Sequence, residues 1–185
     1  MKQITNEQKI NKQIITVTMT IIFITIISIG CIEQKQTGTG NMKLSSPAFE
    51  NGEAIPVEYT CDGKNISPPL IISGVPENTK SLALIMEDPD APLITFVHWL
   101  VWNIPPDTKE ISKGENISYP QGKNGFGKQR YGGPCPPFGT HRYFFKLYAL
   151  DTVLDLKEGA KKKDLLKAMS GHIIEETELI GVYGR

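Results

Sequence analysis

From Met42 to Arg185 the chain is punctuated. Short apolar runs alternate with clusters of Pro, Gly, Asn and Asp, and this spacing suits β-strands joined by turns and leaves little room for helices. Ile55–Tyr59, Leu70–Ile72, Ser81–Met86, Phe96–Ile104, His141–Leu150 and Glu178–Tyr183 read as strands. Ser81–Met86 is apolar throughout, as in a strand covered on both faces. Phe96–Ile104 and His141–Leu150 are aromatic and bulky, which a pleated surface favours. Only Lys161–Met169 reads clearly as helix, with Leu165 and Met169 four apart and Gly171 just beyond its end. The pattern predicts one domain over residues 42–185, an all-β sandwich with a minor helix.

Composition narrows the function. The 20 Lys and Arg balance 20 Asp and Glu, so no basic excess points to nucleic acid. Hydrophobic residues are 39% and charged residues 22%, an ordinary globular mixture. The 17 Gly and 13 Pro agree with a turn-rich β architecture.

The N-terminal segment has a different character. Lys2, Lys9 and Lys12 precede 19 uncharged residues, 14–32, in the manner of a secretory signal or signal anchor. Gly30-Cys31 at the end of that run resembles a lipoprotein processing site, with Cys31 as the lipid-bearing residue; an uncleaved single-span anchor is the alternative. Residues 1–31 are thus expected to be a signal or anchor, residues 32–41 a flexible tether, and the domain to lie outside the cytoplasm at the cell membrane. In such a compartment Cys61 and Cys135 are free to form a disulfide, or to be two isolated small apolar residues.

The chemistry-bearing residues collect at predicted strand ends. Two-residue periodicity puts Phe96, His98, Leu100, Trp102 and Ile104 on one face of their strand. His141, Tyr143, Phe145, Leu147 and Ala149 share a face of another, while Arg142, Phe144, Lys146, Tyr148 and Leu150 look more to solvent. Met86-Glu87-Asp88-Pro89-Asp90-Ala91-Pro92 must stop a strand and deliver Asp88 and Asp90 at its end. The stretch Tyr131–Thr140, with Gly133 and three prolines, is a stiff loop leading into His141. No HxH or HxxxH spacing supports a metal, no cofactor motif is present, and a Cys135 flanked by prolines makes a poor nucleophile. Two histidines, aspartates and glycine N–H groups fit a small anionic ligand, a phosphate or a carboxylate, better than they fit catalysis.

Three ordered motifs carry a family resemblance: DPDAP, VHWLVWNIP, and the stretch from YGGPCPP to GTHRYFFKLYALD, with CDGKNISPPL before them and LIGVYGR at the end. They resemble the phosphatidylethanolamine-binding protein family, which includes the Raf kinase inhibitor proteins, over residues 42–185. The resemblance implies a Greek-key sandwich of two antiparallel sheets with one or two short helices. It also implies an anion pocket for phosphate, phosphoethanolamine or related headgroups, with no catalytic step. Carried over, its ligand-binding positions are Asp88, Asp90, His98, Pro137, His141 and Tyr143. The short spacer Leu93–Phe96 before His98 and the end at Arg185 are similar to the prokaryotic branch. Two other classes stay open: a protein-interaction module inhibiting a protease or kinase-like partner, and a hydrolase of small phosphoesters.

Overall fold

The computed structural model describes residues 41–185. The signal or anchor at 1–31, with Cys31, and nearly all of the tether at 32–41 lie outside the described residues. Among the described residues there are seven strands, β1 (Lys43–Ser45), β2 (Leu70–Ser73), β3 (Ser81–Asp88), β4 (Phe96–Ile104), β5 (Glu110–Ile111), β6 (Thr140–Leu150) and β7 (Ile173–Gly184), and one α-helix, α1 (Lys162–Met169), which precedes β7. All pairings between strands are antiparallel, in a small sheet ordered β1-β2-β5 and a larger one ordered β4-β3-β6-β7. Among the described residues no helix is long and apolar enough to cross a membrane.

The larger sheet is covered on both faces. Leu82, Leu84, Met86, Trp99, Val101, Phe145 and Leu147 pack toward Leu44, Leu70, Ile72 and Ile111 of the small sheet. Ala83, Ile85, Leu100, Trp102, Tyr148 and Leu150 pack on Leu165 and Met169 of α1 and on Leu154. This explains why all eight residues of β3, between β4 and β6, are buried. It also corrects the expectation for the second face of β6: Arg142 is exposed, but Tyr148 and Leu150 are buried, because α1 and the chain before it close over that half. Glu87 reaches the same face, where it binds Lys146 of β6 at 2.8 Å and Lys162 of α1.

Two expected strands differ. Ile55–Tyr59 is not extended: Val57–Tyr59 forms a 3-10 turn behind Pro56, whose ring supplies no donor to a ladder. The last strand begins five residues earlier than expected, at Ile173, because Glu175, Glu176 and Glu178 lie along an edge where charge is tolerated.

The strict alternation expected for β4 fails at two places. Register shifts in the β3–β4 ladder fall between Met86 and Glu87 and between Leu82 and Leu84, leaving His98 and the Trp102-Asn103 stretch as extra residues on β4. Asn103 takes a φ of 57° at the second bulge. Leu100 and Trp102 therefore face α1 while Trp99, Val101 and Ile104 face the small sheet. The first bulge also turns His98 away from the Leu100 face and toward Tyr143, a re-aiming that bulges commonly produce.

Candidate functional site

At one end of the larger sheet, three strand termini meet: the end of β3, the start of β4 and the start of β6. Two-residue periodicity on β3 carries Asp88 to the same face as Leu82, Leu84 and Met86, and on β6 it carries His141 and Tyr143 to the face of Phe145. Asp88 Oδ2 accepts a hydrogen bond from His141 Nδ1 at 2.7 Å, and both side chains are buried. The carboxylate thereby holds the Nδ1 proton and leaves Nε2 as the ring's other polar atom.

His98 is fixed from the opposite side. Its Nδ1 lies 2.7 Å from the carbonyl oxygen of Gly132, and Gly132 N–H donates to the carbonyl of His98 at 3.0 Å. A carbonyl can only accept, so Nδ1 carries the proton. The ring packs against Tyr143 at 5.2 Å, Phe96 at 5.1 Å and Phe126 at 5.8 Å between centroids. Burial pushes the His98 pKa below its ordinary value, outweighing the opposing pull of the Gly132 carbonyl and the Asp88 charge.

Tyr143 completes the cluster. Its side chain is fully buried and its hydroxyl oxygen has no hydrogen-bond partner among the described residues. Burial, with the charge of Asp88 behind it, raises the pKa of the phenol, which therefore stays a donor. The backbone N–H of Cys135 acts in the opposite direction, with a smaller effect.

The loop that supplies Gly132 and Cys135 is fastened to the chain before β2. Cys61 and Cys135 form a disulfide with Cα atoms 5.4 Å apart. Cys61 N–H donates to Pro134 O at 3.0 Å, Gly133 N–H to Asn65 Oδ1 at 2.7 Å, and Tyr131 O–H to Tyr59 O at 2.8 Å. A Cβ at Gly133 would stand 2.4 Å from the Tyr59 carbonyl oxygen, so the close approach requires glycine there.

Of the residues singled out from sequence, Asp88, His98, His141 and Tyr143 come together. Asp90 stands apart: its carboxylate takes Arg142 Nε at 2.8 Å, Nη2 at 2.7 Å and the Arg142 N–H at 3.0 Å. Those bonds, chiefly the guanidinium's, lower its pKa to about 2. Gly133 shapes the loop, but its N–H is already given to Asn65 and is not open to a ligand. Pro137 is exposed, and Pro136 is the buried member of that pair. Among the described residues no His, Cys, Asp or Glu cluster is arranged to hold a metal.

Sequence reading missed Asn124, a buried side chain that donates to His98 O at 3.3 Å and Arg130 O at 2.9 Å. Its Oδ1 accepts from Phe126 and Lys128 N–H at 3.0 and 2.9 Å, closing the turn that brings Phe126 to His98. The dipeptide Asn124-Gly125 is a turn signal that could have flagged it. Nothing local marks Asn65 as the partner of Gly133.

The phosphatidylethanolamine-binding protein family model matches residues 45–184. A UPF0098 protein from Pyrococcus horikoshii is 50% identical over 172 residues, covering 86% of this chain and 84% of its own. A UPF0098 protein from Methanothermobacter thermautotrophicus is 53% identical over 152 residues, covering 78% of this chain and 99% of its own. Among solved structures, a putative phosphatidylethanolamine-binding protein homolog from Chlamydia trachomatis superposes with a TM-score of 0.77 at 46% identity, over 80% of this chain and 99% of that one. YbcL of E. coli, described as a new member of the mammalian family, superposes with a TM-score of 0.72 at 32% identity, over 78% and 98%. Fold, motif order and likeness over the whole domain agree: the chain belongs to the phosphatidylethanolamine-binding protein family.

Proposed function

We propose that the domain binds a small anion of the phosphate or carboxylate class at the cluster of Asp88, His98, His141 and Tyr143, and that it is a binder and not an enzyme. The observation that carries this reading is the Tyr143 hydroxyl, fully buried and without a partner among the described residues. An unpaired buried hydroxyl costs about 1–3 kcal/mol, a cost that a bound oxyanion accepting its proton removes. Asp88 holds His141 in one orientation. Cys135 is tied in a disulfide and is no nucleophile, which favours binding over catalysis.

We also propose that the domain works outside the cytoplasm, tethered through residues 1–31 by a lipid on Cys31 or by an uncleaved span. The Cys61–Cys135 disulfide supports an oxidising compartment. Incorporation of a labelled fatty acid that disappears in Cys31→Ser is the expected result for the lipoprotein form.

The domain is suited to study by itself, because a relative consists of little else: 99% of the Methanothermobacter protein aligns to 78% of this chain. Amide and side-chain resonances of residues 42–185, titrated with inorganic phosphate and phosphoethanolamine, should shift saturably around Asp88, His98, Cys135 and His141. The shifts should vanish in His141→Ala. No shift at millimolar ligand would sink the reading.

A further inference from the structure

The triplet Asn-Ile-Ser occurs twice, as Asn65-Ile66-Ser67 and as Asn116-Ile117-Ser118. It is the acceptor pattern for N-linked oligosaccharide, which is added to accessible surface segments of exported chains. As sequence the two copies are equivalent. As structure they are not, although they lie side by side, with Gly114 N–H donating to Ser67 O at 3.0 Å.

The first copy is already used by the fold. Asn65 Oδ1 accepts from Gly133 N–H at 2.7 Å, one of the bonds that fasten the loop carrying Cys135. The backbone of Asn65 is held in the left-handed region, with a φ of 55°. Ser67 is buried, so the hydroxyl that must accompany the asparagine two residues on is out of a transferase's reach.

The second copy stands open. It belongs to no strand or helix and follows the turn Ser112–Glu115, which is closed by Glu115 N–H to Ser112 O at 3.1 Å and by Ser112 N–H to Glu115 Oε2 at 2.9 Å. Ile117 is buried in the core, while Asn116 and Ser118 on either side of it are both exposed. The buried isoleucine thus anchors the triplet and leaves the amide and the hydroxyl facing water. Asn116 also borders a groove of about 490 Å³ that Gln121 and Arg130 help to line. A sugar on its amide therefore meets open space and hydrogen-bonding groups instead of packed surface.

We infer that Asn116 is a modification site, the acceptor for an N-linked oligosaccharide, and that Asn65 is not. The inference rests on the reading that the domain lies outside the cytoplasm and goes beyond it. The co-substrate is an oligosaccharide carried on a lipid phosphate, delivered by a membrane transferase. Asn116 Nδ2 forms a bond to the anomeric carbon and the anomeric C–O bond breaks. The lipid phosphate leaves with that electron pair, and one amide proton passes to a base of the transferase. This chain supplies the acceptor amide and, on Ser118, the hydroxyl that marks it.

The test is peptide mapping by mass spectrometry of the full chain purified from the cells that make it. Trypsin cuts the two copies apart, into residues 65–80 and 114–123. The second peptide should carry a sugar mass on most molecules, and the first none. Asn116→Gln and Ser118→Ala should each abolish the added mass, while Ser118→Thr, which keeps a hydroxyl, should retain it. Both positions are exposed, so these variants should fold as the wild type does.

A membrane-impermeant amine reagent, applied to intact cells, reports the location of the domain through exposed lysines such as Lys113 and Lys128. An unmodified Asn116 in a chain whose lysines are labelled overturns the site and leaves the extracytoplasmic reading in place. Lysines protected from the reagent, with Asn116 unmodified, overturn both. Sugar on Asn65, alone or besides Asn116, overturns the distinction drawn between the two copies.

Discussion

Replacing Tyr143 by Phe separates a ligand-binding hydroxyl from a structural one. The ring is fully buried and packs edge-on against His98 at 5.2 Å, and phenylalanine preserves that contact and opens no cavity. Only the oxygen is removed, and it has no partner among the described residues. The wild type therefore carries the desolvation cost of an unpaired hydroxyl, about 1–3 kcal/mol, and Tyr143→Phe should recover about 1 kcal/mol or more. For a domain of this size that amounts to a rise in Tm of about 2–5 °C. Urea unfolding of residues 42–185 in anion-free buffer is the assay, with an unchanged slope showing that compactness is the same. With ligand the sign reverses. A hydrogen bond to a charged acceptor contributes about 1.5–3 kcal/mol, so the variant should bind phosphomonoesters roughly 10- to 100-fold more weakly. A variant less stable than wild type by about 1 kcal/mol would refute the reasoning. The hydroxyl would then be satisfied within the folded protein, with Cys135 N–H or a trapped water as its partner, and its claim on a ligand would fall.

Other perturbations probe the supports of the cluster. Cys61→Ser/Cys135→Ser removes a crosslink spanning a sequence separation of 74, and loop closure puts its loss at about 4 kcal/mol; a denaturant midpoint unchanged from the oxidised wild type would contradict it. Gly133→Ala drives a Cβ to 2.4 Å from the Tyr59 carbonyl, backbone that cannot yield cheaply; a loss of about 2 kcal/mol or more is expected, with amide shifts at Asn65 and Cys135. Asp88→Asn weakens the 2.7 Å bond to His141 and should cost about 1–2 kcal/mol, along with anion affinity. The lowered pKa of His98 means that the unfolded chain takes up a proton there before the folded one does. Its contribution to stability is therefore fully present above the ordinary histidine value of 6.5 and lost as pH falls from there through the folded value. His98→Phe should flatten that part of the stability profile. Asp90 acts in a lower window: its contribution is present above 3.8 and is lost as pH falls toward about 2, and Arg142→Ala, which keeps only the main-chain N–H, should remove the larger part of that dependence.

The strands were legible where burial alone dictates side-chain type. The unbroken apolar run of β3 announced a central strand, and alternation on β6 placed His141 and Tyr143 together and buried. Reading failed where one more layer altered what a residue meets. Tyr148 and Leu150 share a face with Arg142, and only the position of α1 separates the buried pair from the exposed cation. Ile55–Tyr59 has strand-like composition, but one proline within a short run outweighs it.

The candidate site was legible as a roster and not as chemistry. Motifs named Asp88, His98, His141 and Tyr143, yet two of their properties depend on contacts between distant parts of the chain. Strict alternation puts His98 beside Leu100 and Trp102, and it reaches Tyr143 only because the ladder slips between Met86 and Glu87. Its proton sits on Nδ1 only because the Gly132 carbonyl, 34 residues away in sequence, lies at 2.7 Å. That carbonyl is held in place by a loop fastened across the disulfide and by Asn65, neither of which touches the histidine's own strand in sequence. Asp90 shows the converse. It shares a motif with Asp88, two residues away, so both keep the same parity, but the turn after Asp88 sends it outward to Arg142. Spacing along the chain can nominate donors and acceptors; their polarity is decided by which backbone group arrives opposite them.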